Sequence, residues 1–138
     1  VARSLRQARW EKLMWNIPFN TLGITAGAVT TDRIMADDGL RELARRLMVE
    51  TAAAANAEGC SIDCDAMVRK MMANTGTMGP YAPSMLIDYR SRAPLEGESI
   101  LGEPSRRAAA VGVAVPTIDV QYRLVSFLDR LNRGSLPA

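Results

Sequence analysis

The chain has 138 residues, 48% of them hydrophobic and 23% charged, with a formal net charge of +2 and no histidine. That length sustains one hydrophobic core and one domain, and the composition is that of an ordinary globular protein. So small a charge, carried by scattered arginines, argues against nucleic-acid binding. The missing histidine removes the commonest general base, the commonest metal ligand and every Ser-His triad.

Cys60 and Cys64 form a C-x-x-x-C pair. With no histidine and no second cysteine pair, no metal site is expected. The two read as ordinary thiols, with a local disulfide as the alternative. No run approaches the ~20 apolar residues of a membrane span, and no charged-then-apolar signal opens the chain. A cytoplasmic location without a membrane partner is the expectation. Val1 opens a segment that already reads as helical, without an initiator methionine, so the chain reads as a piece of a longer protein.

The first predicted helix covers 3–26 and contains Pro18. Proline lacks the backbone donor and clashes with the carbonyl four residues back, so a kink near 14–18 is expected, or an end at Ile17. Gly23, Gly27 and the β-branched Val29-Thr30-Thr31 close this element. Asp37-Asp38 offers a cap for a second helix over 38–58, where Leu40, Leu43, Leu47, Thr51 and Ala54 recur at amphipathic spacing and Gly59 is the stop. Asp63 caps a third helix over 64–74, whose Met67, Val68, Met71 and Met72 read as flexible core filler. A loop follows to Pro80. Pro83 suits a first helical position and puts Ser84 in the first turn of a helix to Arg90. Free N–H groups there favour an anion; a plain capping role for Ser84 is the alternative. A helix from 98 bends at Gly102-Glu103-Pro104 and ends near Gly112. Thr117 then caps a last helix over 118–133, with Val120, Leu124, Leu128 and Leu131 facing inward. No strand alternation and no G-x-G-x-x-G after a strand occurs, so the prediction is all-α with six to seven helices and no dinucleotide fingerprint.

The chemistry concentrates in the first helix. Lys12, Asn16 and Asn20 stand four residues apart, so each drifts only about 40° from the last and the row spans roughly 12 Å. Around them lie Leu13, Met14, Trp15, Ile17, Phe19 and Leu22. Asparagine is a mediocre helix former because its amide competes with the backbone, so this polar row in an apolar helix calls for a polar partner. An ammonium with amide neighbours can bind a carboxylate, polarise a carbonyl or protonate an alkoxide. With Ser84 and Glu96, these are the candidate site residues. A solvated helix face is the alternative.

The segment Trp10–Asn20, W-x-K-L-x-x-N-x-x-x-N, resembles the C-terminal substrate domain of ketopantoate reductase (2-dehydropantoate 2-reductase). In order along the chain, A-x-x-x-G at Ala55–Gly59, S-M-L-x-D at Ser84–Asp88, the acid Glu96, I-x-G-x-P at Ile100–Pro104 and G-V-x-x-P at Gly112–Pro116 resemble the same family. The resemblance implies a helical C-terminal domain of the 6-phosphogluconate-dehydrogenase type, residues 1–138, that follows an N-terminal Rossmann domain carrying NADPH. It implies Lys12 as the catalytic lysine that protonates the C2 oxygen, and Glu96 as the acid that binds substrate and places the lysine. Asn16, Asn20 and Ser84 would bind the substrate. The implied reaction takes 2-dehydropantoate, or another 2-oxo acid, to the 2-hydroxy acid in pantothenate biosynthesis. The expected partners are the substrate, the chain's own Rossmann domain and a homodimer mate. The alternative is a non-catalytic helical dimerisation module, with Lys12, Asn16 and Asn20 facing bulk solvent.

Overall fold

The structure, a computed structural model, describes residues 4–134. Residue 3, where the first helix was expected to start, lies outside them. The elements are α1 (Leu5–Thr25), α2 (Thr31–Ala36), α3 (Asp38–Ala57), α4 (Cys64–Gly76), α5 (Ser84–Arg90), a π-turn (Glu98–Gly102), α6 (Glu103–Ala110) and α7 (Pro116–Asn132). There is no strand among the described residues, and the fold is all-α.

α1 is the axle. Ser4 caps it by accepting from the Gln7 N–H at 3.0 Å, and the helix runs through Pro18 without ending. Every residue from Ile17 to Ile24 is buried, because α2, α3, α5 and α7 all pack around this half. Burial of each large side chain there is worth roughly 1.5–3 kcal/mol. Helix interiors seldom bury threonine unless the hydroxyl is satisfied. Here Thr21 donates to the Ile17 carbonyl at 2.6 Å, and the Gln121 amide of α7 donates to both Thr21 at 2.9 Å and Thr25 at 3.0 Å. This polar bridge fixes α7 against α1.

α3 is the largest neighbour of α1. Asp37 caps it, accepting from Leu40 N–H at 2.8 Å. Ala44, Ala52, Ala54 and Ala55 are buried and let the two helices approach closely, with Leu47, Met48 and Thr51 filling the rest of that face. Leu43, expected on the same stripe, is 36% exposed. The methionines of α4 lie half-buried against the core.

Three local expectations are corrected. Thr31, read with Val29 and Thr30 as the β-branched close of α1, instead opens a short helix of its own; its N–H meets the Tyr81 carbonyl at 3.0 Å. Thr117 does not cap α7: the helix starts at Pro116, and the Glu50 carboxylate of α3 accepts from the N–H groups of Thr117 and Ile118 at 3.0 and 2.9 Å. On α7, Val120, Leu124 and Leu131 do not face inward; they are 56%, 47% and 53% exposed, and Ile118, Gln121 and Val125 face the core instead. The Gln121 bridge sets this rotation.

Candidate functional site

A pocket of about 480 Å³ lies between the N-terminal half of α1, the start of α5, the π-turn and α6. Lys12, Asn16, Asn20, Ser84 and Glu96 all line it. The five candidates, drawn from three separate parts of the chain, thus share one surface. Trp10 and Leu13 of α1 and Ile100 of the π-turn supply its apolar wall, while Arg9, Glu103 and Arg107 add charge.

Asn20 organises one end. It is 3% exposed. Its carbonyl oxygen accepts from the Met85 N–H at 2.9 Å and the Ser84 hydroxyl at 3.4 Å. Its amide nitrogen donates to the Asn16 carbonyl oxygen at 3.3 Å. Three of its four hydrogen-bonding positions are therefore spent inside the protein, and they tie α5 to α1. The expected free N–H cluster at the start of α5 is corrected by the same contacts. Pro83 is the cap rather than the first helical residue, and Leu86 and Ile87 N–H groups return to the Pro83 carbonyl at 3.0 and 3.2 Å.

The other end is closed by a tie that sequence reasoning missed. Glu58, just past α3, accepts from the Trp10 indole N–H at 2.8 Å and from Arg107 at 2.9 and 2.6 Å. The Arg107 guanidinium lies 5.4 Å from the Trp10 ring centroid. Its fork holds the Glu58 carboxyl below the usual carboxylate range, with the Trp10 hydrogen bond adding to the effect. The Glu58 side chain is only 13% exposed, so the pair is weakly screened. The lone signal in the sequence was an acid beside a helix-stopping glycine, which says nothing about a tryptophan 48 residues away.

Glu96 sits on the short segment ahead of the π-turn. The N–H of Leu95 donates to Asp129 of α7 at 3.0 Å, and the Ser99 hydroxyl and Ile100 N–H return to the Glu96 carbonyl at 3.3 and 3.1 Å. The backbone is thus pinned while the carboxylate stays exposed. The predicted bend at Gly102-Glu103-Pro104 is the place where the π-turn gives way to α6. A Cβ on Gly102 would stand 2.5 Å from a Glu98 carboxylate oxygen and 3.0 Å from the Tyr122 ring, so a larger residue there would displace the Glu98 and Tyr122 side chains. Glu98 accepts from the Tyr122 hydroxyl and from Arg106, and both hold its carboxyl low. π-turns of this kind often sit at functional sites.

Neither the Lys12 ammonium nor the Glu96 carboxylate makes an ion pair or hydrogen bond within the protein among the described residues. Buried side-chain polar atoms there all have partners. Lys12 and Glu96 both line the open pocket. Cys60 and Cys64 are both free, and burial raises both thiols. Among the described residues no group of three or more metal-ligating side chains occurs, and no helix is long and apolar enough to cross a membrane.

By fold and site, then, this is a helical domain presenting one half-open polar pocket on its central helix. The family model for the ketopantoate reductase PanE/ApbA C terminal matches residues 4–129. The chain is 44% identical to the 2-dehydropantoate 2-reductase of Nostoc sp. over 133 residues, 96% of this chain and 41% of that protein. Among solved structures, it is similar to 2-dehydropantoate 2-reductase from Geobacter metallireducens (TM-score 0.85, 40% identity, 89% of this chain and 41% of that one). It is also similar to the dimeric ketopantoate reductase from Staphylococcus aureus (TM-score 0.84, 28% identity, 96% and 46%). The chain belongs to the ketopantoate reductase family and corresponds to its C-terminal helical domain. It spans about two fifths of the length of the Nostoc relative.

Proposed function

We propose that the chain is the substrate-binding half of an NADPH-dependent 2-dehydropantoate 2-reductase, or of a reductase of a related 2-oxo acid. The observation that carries this reading is the convergence of Lys12, Asn16, Asn20, Ser84 and Glu96 on one pocket. A non-catalytic module would leave these groups apart, facing bulk solvent. Among the described residues no glycine-rich strand-to-helix turn could cradle a dinucleotide diphosphate, so an upstream Rossmann domain holds the cofactor. When bound, the cofactor supplies a hydride to C2 of the substrate.

The residues of this chain do the rest. Lys12, as the ammonium, hydrogen-bonds the C2 oxygen and gives it a proton as the C=O bond becomes C–OH. Its flexible stem reaches along the pocket, and its charge stabilises the developing alkoxide. Asn16 and the Ser84 hydroxyl orient the substrate carboxylate, and Asn20 holds both in place. Glu96 accepts from a substrate hydroxyl and attracts the Lys12 ammonium toward the reacting oxygen. A second copy of the chain is the further partner, as in the dimeric S. aureus relative. The test restores the upstream region and follows NADPH oxidation with ketopantoate and a panel of 2-oxo acids. Turnover with at least one is expected; an inert full-length protein overturns the reading.

A further inference from the structure

One end of the pocket carries charge that the chemistry above does not use. Arg9 stands three residues before Lys12 on α1 and lines the same pocket. At 100° per residue it falls within about 20° of both Asn16 and Asn20, so it extends their row by one turn. Arg9 is exposed, and its side chain makes no ion pair or hydrogen bond among the described residues. Arg107 of α6 lines the pocket too and is held rigidly. Its Nε and Nη2 donate to the two Glu58 oxygens at 2.9 and 2.6 Å, and the Trp10 ring lies 5.4 Å away. The third nitrogen, Nη1, reaches Glu103 at 3.7 Å. That is beyond hydrogen-bond length, and the Glu103 side chain is 59% exposed. Nη1 is therefore a fixed donor with spare capacity.

The neighbouring acids do not cancel this charge. Arg6 and Arg107 act on the Glu58 carboxylate, and Arg107 also pairs with Glu103. These two cations balance these two acids, and Lys12 balances Glu96 in the pocket, which leaves Arg9 over. Glu11 points about 160° away from Arg9 around α1. The length available also matches a substrate. With the substrate carboxylate at Asn16 and Ser84 and the C2 oxygen at Lys12, the rest of the molecule runs toward Arg9. Lys12 and Arg9 are about 4.5 Å apart along the helix axis. An extended carbon chain advances about 1.25 Å per bond, from a C–C length of ~1.52 Å. Three to four bonds beyond C2 thus bring C5 or C6 to Arg9. A carboxylate there offers two acceptor oxygens, the shape that guanidinium groups bind best.

We propose that Arg9 and Arg107 form an anion subsite for the far carboxylate of a 2-oxo dicarboxylic acid of five or six carbons; this rests on the reductase reading above and names its substrate class. The test follows NADPH oxidation by the full-length protein with 2-oxoglutarate and with 2-oxopentanoate. The two acids share a carbon skeleton and differ by the carboxylate at C5. The diacid is expected to have a kcat/KM at least about 10-fold higher, the scale of one charge-assisted hydrogen bond. Arg9→Gln is expected to bring the ratio to about one, with the loss in KM for the diacid, and Arg9→Lys to restore part of it. The cofactor diphosphate is the other anion that could meet Arg9. NADPH affinity without substrate, read from NADPH fluorescence, separates the two sources. Arg9→Gln is expected to leave that affinity within about twofold, and a loss of about tenfold overturns the assignment to substrate. A wild-type ratio of one or less overturns the subsite, while turnover of either acid leaves the reductase reading standing. A ratio that survives Arg9→Gln also overturns the subsite. A protein inert with both acids and with ketopantoate overturns the reductase reading, and the subsite with it.

Discussion

Two rows of side chains at helical spacing contradict their surroundings in opposite senses. On α1, Lys12, Asn16 and Asn20 place polar groups along the most apolar helix of the chain. On α7, Val120, Leu124, Phe127 and Leu131 place large apolar groups in solvent. Each row has the periodicity of a surface that meets something, and neither meets it fully within the described chain. The polar row is partly met: Asn20 is consumed by α5, and Lys12 is left for the pocket. The apolar row is about half covered. The comparison teaches that spacing reports which residues share a face, whereas only packing reports whether that face is turned in or out.

The largest expected effect breaks the polar row at its reactive end. Lys12→Ala in the full-length enzyme should lower kcat by about 10²–10⁴-fold. The same substitution should leave urea stability within about 0.5 kcal/mol, because the side chain is exposed. Equal losses in both would make Lys12 structural.

Removing the tie at the closed end of the pocket is the next largest. Glu58→Ala should cost about 2–3 kcal/mol of unfolding free energy, since it strands Arg107 and the Trp10 indole N–H. Its carboxyl is held low in the folded state. Its stabilisation is therefore complete above the unfolded carboxylate value of about 4.3 and is lost as pH falls through the folded value. Wild type should lose stability below about pH 4 more steeply than Glu58→Gln, measured by urea unfolding across that range.

Asn20→Ala should cost about 1–2 kcal/mol, because the Met85 N–H loses its acceptor in a buried place. Asn16→Ala should cost less than half of that while raising KM for the 2-oxo acid. If the two asparagines behave alike in both measurements, the division between organiser and binder is wrong.

The smallest effect sharpens the apolar row. Leu124→Ala should change the stability of the monomer by no more than about 0.5 kcal/mol, against about 2–5 for Leu47→Ala in the core. Thermal unfolding of the two variants at low protein concentration separates them.

Much of the helical order was legible because its signals are local. Asp37 and Asp63 cap where cap residues should, and Gly59 and Gly112 follow the helix ends with positive φ. α2 was not legible: it is six residues long, has no side-chain cap bond, and is held by Tyr81 from across a loop. The start of α7 was misread for a related reason. Its cap is a carboxylate about 67 residues earlier, Glu50, which no local pattern announces. The five pocket candidates were legible only as separate motifs, and the Glu58 tie not at all.

The sequence by itself determined most of the helices, the single core and the residues able to do chemistry, because caps, periodicity and residue type act over a few neighbours. The tertiary structure decided that Lys12, Ser84 and Glu96 share a pocket, that Asn20 ties α5 to α1, and that α7 turns its larger apolar row outward. Each of these depends on which long-range hydrogen bond or packed face wins, and such competition is settled only when the whole chain is folded.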